Sequence, residues 1–280
     1  SISILGLHGD SEYKKDRERK PLETGLLIVD ETSMVDMWLI HQLFLRLRPG
    51  TKVLLVGDAD QLESVGAGDV FHELIGSGVV PVTVLDEIFR QAQDSLIAHN
   101  ARFINEGKTT LYYGEDFAFH KAESQEETAG IIRELYREQI AAQGIEQVEI
   151  GTIRKISGTN VVIEFDGRYM DCPQVLLDDL ELSYAITIHK SMGSEYDTVI
   201  IPLLAAHNVL LTRNLLYTAI TRAKRRVLLV GEKRALYMAI HRSRKGKRNT
   251  MLGERIALYY KAVTRKALRN EEGEEWQRAS

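Results

Sequence analysis

The stretch GLLIVDETSM, residues 25–34, governs how the whole chain is interpreted. A short apolar run ends here in Asp30 and Glu31, which is the pattern of a buried strand whose end carries two carboxylates. Such a pair suits nucleotide hydrolysis, because the aspartate can hold Mg²⁺ and the glutamate can accept a proton from the attacking water. An acidic turn at the protein surface is the alternative interpretation of these few residues.

A second stretch of similar form, KVLLVGDADQL, occupies residues 52–62. It predicts another buried strand, followed by an acidic turn that contains Gln61. Ligands of open parallel sheets bind beyond the carboxyl ends of the strands, so the two acidic turns are expected at one edge. A glutamine amide there can contact the attacking water or the terminal phosphate. The alternative is an ordinary strand-to-turn connection, since glycine and aspartate favour turns.

The remaining chain alternates between helical and strand patterns, which predicts an α/β fold with helices on both faces of a parallel sheet. Alternating β-branched residues around a Gly-Thr-Asn turn instead predict a hairpin of a small antiparallel barrel. Trp38 is predicted to lie in the core. The predicted helices fall in residues 34–50, 66–78, 94–108, 127–144 and the first part of 214–231; strands fall in 80–91, 180–204 and the last part of 214–231, and the hairpin in 149–173.

The composition is that of a globular protein, with 280 residues, 44% hydrophobic and 27% charged. No apolar run is long enough to span a membrane, and Cys172 is the single cysteine, so a cytoplasmic setting without disulfides is expected. The net charge is −4, but residues 213–248 contain 12 Lys or Arg against one acid. This basic segment suits contact with a polyanion, and a solvated helical face explains it equally well.

Two arginines are candidates for phosphate contacts because each follows an apolar element: Arg90 in FRQ and Arg222 in TAITRAKRR. Taken alone, either arginine is more simply explained as an ordinary surface charge.

The order of the motifs along the chain is more specific than any single residue. The segments LLIVDETSMVD, LLVGDADQLESVGAGDVFHELI, LDEIFRQ, ITIHKSMGSEYDTVII and LLYTAITRAKRRVLLVG resemble motifs II to VI of superfamily 1 DNA helicases, and most of all the RecD-like branch.

The resemblance implies a fold of two RecA-like parallel-sheet motor domains with a small antiparallel β-barrel inserted into the second. On this basis the first motor domain is expected at residues 1–92, and the second at 93–148 and 181–262. The barrel is expected at 149–180 and a tail at 263–280.

The resemblance also implies roles for individual residues around ATP and Mg²⁺. Asp30 would be the Mg²⁺ ligand and Glu31 the catalytic base, while Gln61 would sense the terminal phosphate. Arg90 and Arg222 would reach that phosphate from opposite sides, with Arg222 coming from the second motor domain.

Further residues are implied near the nucleotide and the DNA. Gly193 and Glu195 would lie near the ribose and the phosphates. The residues implied to face single-stranded DNA are Ser64, Thr187, His189 and Lys190. A lone histidine is otherwise more often structural or merely exposed.

The activity implied is that of an ATP-dependent helicase that moves 5′ to 3′ on single-stranded DNA and opens tailed duplexes, with partners in recombination or repair. Two other functions stay open from the sequence. The chain can be a non-catalytic DNA-binding or assembly subunit on a degenerate helicase fold, or a relative of conjugative relaxase-helicases. Met192 and Glu63 depart from the family pattern, which usually has glutamine and proline there.

The larger departure is that no G-x-x-x-x-G-K-[ST] phosphate loop occurs in these 280 residues. The near match is Gly107-Lys108-Thr109, which lacks the first glycine and follows a helical pattern, so it is interpreted as a helix C-cap. Either the chain is a fragment of a longer protein or it is a natural remnant without ATPase activity. The abrupt junction at residues 150–151 favours segments missing from this chain.

Overall fold

A computed structural model describes residues 21–85, 95–143, 152–157, 160–165, 168–172, 185–243 and 250–264. Arg90 and the first part of the predicted strand in 180–204 lie outside these residues. The chain separates into two compact units, one formed by Ser1–Glu87 with Arg244–Ser280 and the other by Ile88–Ser243.

The first unit contains two parallel strands, β1 (Leu26–Val29) and β2 (Lys52–Leu55), paired in register from Leu26–Lys52 to Val29–Leu55. Helix α1 (Met37–Phe44) connects them, and α2 (Val70–Gly76) follows β2. Each helix begins at an aspartate whose side chain accepts a backbone N–H of the first turn, which is a favourable N-cap. These elements confirm the predicted order of strand, helix, strand and helix.

One face of this sheet packs against the helices. Leu27 and Val29 lie on a cluster that includes Ile40 and Val70. Side chains alternate between the faces of a strand, and Ile28 on the other face is 58% exposed. The expectation that β1 is buried on both faces is therefore wrong for the described part of the chain.

Two further predictions in the first unit are wrong. Trp38 is 55% exposed, because it lies on the side of α1 opposite the buried Ile40 and Leu43. The strand predicted at 80–91 does not form at residues 80–85, where the segment pairs with no described residue and Val84 and Leu85 are both exposed. Residues 86–91 of that prediction lie outside the described residues. Its β-branched, apolar composition indicated a strand, but composition alone supplies no pairing partner.

The second unit contains, in chain order, α3 (Leu96–Asn105), β3 (Phe117–Lys121), α4 (Gln125–Gln143), β4 (Thr152–Ser157), β5 (Asn160–Phe165), β6 (Arg168–Cys172), β7 (Tyr196–Leu203), α5 (Arg213–Ile220), β8 (Ala223–Gly231) and α6 (Lys233–His241). Strands β3, β8 and β7 form a parallel sheet in that order. Helices α3, α5 and α6 share one large core with this sheet, and α4 contacts β7 and β8. Strand β3 and helix α6 were not predicted from the sequence.

A separate antiparallel sheet is formed by β4, β5 and β6. The predicted hairpin is confirmed as β4 and β5, with Val161, Ile163 and Cys172 in a small core of their own. These three strands are the part of the predicted barrel that the structure describes, so a closed barrel stays a prediction.

The Gly107-Lys108-Thr109 segment ends a helix, as predicted. Gly107 has φ +77°, its N–H donates to Ile104 O at 2.9 Å, and the Lys108 N–H donates to Phe103 O at 2.8 Å. This is the left-handed glycine cap that satisfies the last carbonyls of α3. A phosphate loop precedes its helix, so this segment does not have that geometry.

The C-terminal segment 250–264 belongs to the first unit, although residues up to 262 were expected in the second. It is helical from residue 252. Leu252 packs against the core of the first unit, and the Gly253 N–H donates to Glu73 Oε2 at 3.2 Å. The Thr250 hydroxyl bonds the same carboxylate. This helix was not predicted from the sequence, and the contacts that attach it to the first unit depend on the three-dimensional packing.

None of the described helices combines the length and the apolar character that crossing a bilayer requires.

Candidate functional site

The first unit presents Asp30 and Glu31 directly after β1. Glu31 has φ 51° and ψ 42°, a left-handed conformation that costs a residue other than glycine about 1 kcal/mol or more. Hydrogen bonds that hold the turn run from the Glu31 N–H to Asp30 Oδ1 at 2.8 Å, from the Thr32 N–H to Val56 O at 2.8 Å and from the Thr32 hydroxyl to Val29 O at 2.9 Å. Strained backbone of this kind concentrates at functional sites, which supports a specific role for Glu31.

The loop after β2 lies against this turn. A Cβ atom on Gly57 would lie 3.1 Å from the backbone nitrogens of both Thr32 and Ser33. Gly57 thus allows the two loops to approach more closely than other residues would permit. The acidic pair and the turn that contains Gln61 therefore follow adjacent parallel strands and share one edge of the sheet, as the sequence predicts.

Gln61 is held within its own turn. It is 7% exposed, and both its backbone N–H and its Nε2 donate to Asp58, at 3.3 Å to the carbonyl and 3.3 Å to Oδ2. The Asp60 N–H donates to Asp58 Oδ1 at 2.9 Å. Asp58 therefore shapes the turn, a role that the sequence analysis did not assign. The Asp-x-Asp-Gln spacing could have indicated this role. An aspartate side chain at a turn commonly accepts a hydrogen bond from the backbone N–H two residues later.

Ser64, a candidate DNA contact, is 4% exposed. Its hydroxyl donates to Gly68 O at 3.1 Å and lies 3.4 Å from Gly66 O. The hydroxyl thus organises its own loop. A contact between this position and DNA stays a prediction, and it would have to involve the surrounding loop.

His72 lies on the first turn of α2 and contacts the N-cap of that helix. Its Nδ1 is 2.9 Å from Asp69 Oδ1. The hydrogen bond to Asp69 raises the pKa of His72 above its ordinary value of 6.5, burial opposes this, and the charges of Asp69, Glu63 and Asp60 reinforce it. The folded protein therefore holds the proton more tightly than the unfolded chain does.

Replacing His72 with glutamine is expected to destabilise the protein at low pH and to matter little at high pH. Because the folded pKa is raised, the pair with Asp69 contributes fully below the unfolded pKa and is lost as pH rises through the folded value. The measurement is the urea midpoint of both proteins at about pH 5.5 and about pH 8.5. In an Asp69→Asn background, which keeps the cap but removes the charge, the same substitution should show a smaller pH dependence, because the charges of Glu63 and Asp60 then remain to raise the pKa of His72. An equal loss at both pH values would contradict the ion pair.

In the second unit, the loop before β7 carries three of the predicted DNA contacts. Thr187, His189 and Lys190 are all exposed, and the loop is held by hydrogen bonds from the Lys190 N–H to Thr187 Oγ1 at 3.3 Å and from the Ser191 hydroxyl to Ile188 O at 2.7 Å. The three side chains are therefore accessible to a ligand on an ordered loop.

Arg222 lies at the start of β8 and joins this same loop. It is 4% exposed, its Nε donates to Thr218 O at 3.3 Å, and its Nη1 donates to Ser194 O at 3.3 Å. Its Nη2 forms no hydrogen bond with a described residue. Arg222 is therefore fixed against the segment that contains Gly193 and Glu195. Sequence reasoning assigned those two residues and missed Ser194, whose contribution is a backbone carbonyl that no side-chain pattern reveals.

The neighbouring loop residues have their own constraints. Gly193 has φ +75°, a conformation that favours glycine. Glu195 Oε2 lies 3.9 Å from Lys224 Nζ, a loose ion pair that stabilises little at a partly exposed site. Arg222, Gly193 and Glu195 thus lie together at one end of the β7 and β8 strands. The acidic pair, Gln61 and Ser64 lie in the first unit.

Within the described ranges no group of three or more His, Cys, Asp or Glu side chains is arranged to hold a metal ion. Mg²⁺ needs no such group, because it keeps several waters and binds proteins through one or two carboxylates together with substrate phosphates. Asp30 is exposed, and its one carboxylate hydrogen bond with a described residue is the bond that Oδ1 accepts from the Glu31 N–H. The site therefore fits Mg²⁺ held with a nucleotide.

Two protein families match the chain. Residues 6–129 match the AAA domain, and residues 182–230 match the UvrD-like helicase C-terminal domain. The first match includes the acidic pair and Gln61, and the second includes Arg222 and the loop before β7.

Full-length relatives match across both units. The chain is 30% identical to the ATP-dependent RecD2 DNA helicase of Deinococcus radiodurans, with 85% of this chain and 40% of the relative aligned. It is 27% identical to the RecBCD enzyme subunit RecD of Mycobacterium tuberculosis, with 85% of this chain and 55% of the relative aligned. The chain thus spans about half the length of the curated relatives it matches.

The first alignment runs over 291 positions, more than the 280 residues of the chain. The relative therefore has residues within the matched span that this chain lacks. The shortening expected at residues 150–151 stays a prediction, because that junction lies outside the described residues.

Proposed function

Since the chain belongs to the RecD-like branch of superfamily 1 helicases, we propose that it is the motor portion of an ATP-dependent DNA helicase that moves 5′ to 3′ along single-stranded DNA. The observation that carries the proposal is the ordered set of motifs at the carboxyl ends of parallel strands, above all the strained acidic pair beside the Gln61 turn. A relative named as an ATP-dependent DNA helicase supports it.

The acidic pair supplies the hydrolytic chemistry in this proposal. Asp30 would hold Mg²⁺, which neutralises charge on the terminal phosphates when bound. Glu31 accepts the proton of the attacking water, and its left-handed turn fixes the backbone position from which the carboxylate extends. Gln61, anchored by Asp58, orients that water or the terminal phosphate.

Arg222 is proposed to neutralise the charge that gathers on the terminal phosphate during hydrolysis. Its guanidinium is already ordered by the carbonyls of Thr218 and Ser194, so little side-chain entropy remains to be lost when phosphate binds. Arg90 is proposed for the same phosphate, on the resemblance alone. Gly193 and Glu195 are proposed near the ribose and phosphates because they share the loop that Arg222 holds.

Single-stranded DNA is proposed to contact Thr187, His189 and Lys190 on the loop before β7, and the loop that contains Ser64. The exposure of Thr187, His189 and Lys190 supports their part of this proposal. Such contacts to the backbone and bases are sequence-tolerant and weaken as salt rises. Partner proteins are proposed because one relative is named as a subunit of the RecBCD enzyme. A role in recombination or repair is proposed on the resemblance of the motifs, and a cytoplasmic location on the single cysteine.

The direct test is unwinding by the complete gene product with ATP and Mg²⁺. We expect DNA-stimulated ATP hydrolysis and strand separation of a duplex with a 5′ single-stranded tail, but not of the same duplex with a 3′ tail. A blunt duplex is the matched control. Strand separation only from the 3′ tail would contradict the direction. DNA binding without any hydrolysis would instead indicate the non-catalytic subunit.

A further inference from the structure

The loop formed by residues 64–68, which we call the glycine loop, lies against the N-terminus of α1. The Met37 N–H donates to Ala67 O at 2.9 Å. From within the loop, the Ser64 hydroxyl donates to Gly68 O at 3.1 Å. The loop therefore carries hydrogen bonds both to α1 and to itself, and it begins three residues after Gln61.

Two positions in the glycine loop have no room for a side chain. A Cβ atom on Gly66 would lie 1.9 Å from Asp36 Oδ2 and 2.7 Å from Asp36 Cβ. A Cβ atom on Gly68 would lie 2.3 Å from Met37 Cγ, and Gly68 also has φ +94°. Contacts below 3.0 Å force a neighbour to move.

Asp36 is poorly able to move away from such a Cβ. Its Oδ1 accepts the Leu39 N–H at 2.7 Å as the N-cap of α1. Shifting the carboxylate would cost that cap, which contributes about 1 kcal/mol to the stability of a helix. A side chain at position 66 is therefore expected to displace the glycine loop.

Asp36 is in turn joined to the acidic pair by a short ordered path. The Met34 N–H donates to Glu31 O and the Val35 N–H donates to Thr32 O, each at 3.0 Å. This 3-10 turn leads directly into Asp36. The glycine loop on one side and Gly57 on the other therefore attach the segment around Gln61 to the turn that carries Glu31.

We propose that Gly66 and Gly68 are positioning residues, which clamp the glycine loop to α1 and thereby hold Gln61 in place relative to Glu31. The proposal rests on the proposed ATP hydrolysis for its catalytic consequence. The fit of the loop itself does not depend on that activity.

The test compares Gly66→Ala with Gly76→Ala in the complete gene product. Gly76 lies in α2 with nothing within 4 Å of its added Cβ, so it is the matched control. We expect Gly66→Ala to lower kcat for ATP by about 10- to 100-fold, since displacement of a positioning group by about 1 Å has that effect. KM for ATP and affinity for single-stranded DNA should change little, and Gly76→Ala should resemble the wild type.

A compensating variant separates positioning from misfolding. In Asp36→Gly/Gly66→Ala the obstructing side chain is gone, and glycine still serves as an acceptable N-cap. We expect this double variant to recover most of the lost kcat. If Gly66→Ala fails to fold, recovery of folding and turnover in the double variant still supports the clamp. Failure to recover either would overturn it.

Amide hydrogen exchange reports on the clamp without reference to activity. Exchange at Met37 and across residues 61–69 should be faster in Gly66→Ala and unchanged in Gly76→Ala. Unchanged exchange would overturn the clamp, and faster exchange with wild-type kcat would overturn the positioning role. A wild-type protein that does not hydrolyse ATP would contradict the proposed function, whereas the exchange result would still decide the clamp.

Discussion

Replacing Arg222 with alanine in the complete gene product is expected to lower ATP turnover by about 10³-fold or more, the effect seen when an arginine that stabilises the transferred phosphoryl group is lost. Affinity for single-stranded DNA should stay within a few-fold. The guanidinium is buried and held by two carbonyls, so the substitution removes a preorganised charge. The measurement pairs steady-state ATPase with fluorescence anisotropy on labelled DNA.

Arg225→Ala is the matched control, because Arg225 lies on β8, three residues after Arg222, and is exposed. It should keep near wild-type turnover. Arg222→Lys should also be impaired, since an ammonium group cannot reproduce the planar geometry that contacts Thr218 and Ser194 while facing a phosphate. Normal turnover in Arg222→Ala would remove this residue from the proposed site.

Replacing Glu31 with glutamine is expected to reduce ATP hydrolysis by about 10²- to 10⁴-fold, the contribution of a well-placed general base. Nucleotide and DNA binding should persist, because glutamine keeps the size of the side chain and loses the proton acceptor. Single-turnover hydrolysis and nucleotide binding are the two measurements. Glu23→Gln, an exposed glutamate in the same unit, is the control.

Glu31→Asn probes the strained turn as well as the chemistry. Asparagine adopts the left-handed region more readily than glutamate does. This variant should therefore lose hydrolysis and yet unfold at an equal or slightly higher temperature than the wild type. A marked loss of stability would show that the Glu31 side chain supports the fold, and hydrolysis at wild-type rates in either variant would exclude it as the base.

Local patterns predicted much of the fold. The strand at Leu26–Val29, the glycine cap after α3 and the helix–strand succession of α5 and β8 each combine an apolar period with a clear stop signal. Strand β3 was missed because the run FAFHK at residues 117–121 is short, and its partner β8 lies more than 100 residues later. Segment 80–85 shows the converse, since a strand-like composition found no described partner.

The part of the candidate site that consists of functional side chains could be predicted from the sequence. Asp30, Glu31 and Gln61 could be placed at one sheet edge because parallel strands align their carboxyl ends. The backbone contacts could not be predicted. The carbonyl of Ser194 under Arg222 and the space that Gly66 leaves for Asp36 depend on how loops pack in three dimensions. The burial of Ser64 also follows from that packing.

The return of residues 250–264 to the first unit has a consequence for biosynthesis. Leu252 and the partners of Glu73 leave the ribosome only after the whole of Ile88–Ser243 has been made. The nascent first unit must therefore wait with an unfinished core, while the second has all its sequence available to fold. Once the second unit has folded, the chain that separates the two parts of the first unit is compact. Less entropy is therefore lost when residues 250–264 pack against the rest of the first unit. We expect the second unit to complete its folding before the first, which is the reverse of the order in which the two units begin to be synthesised.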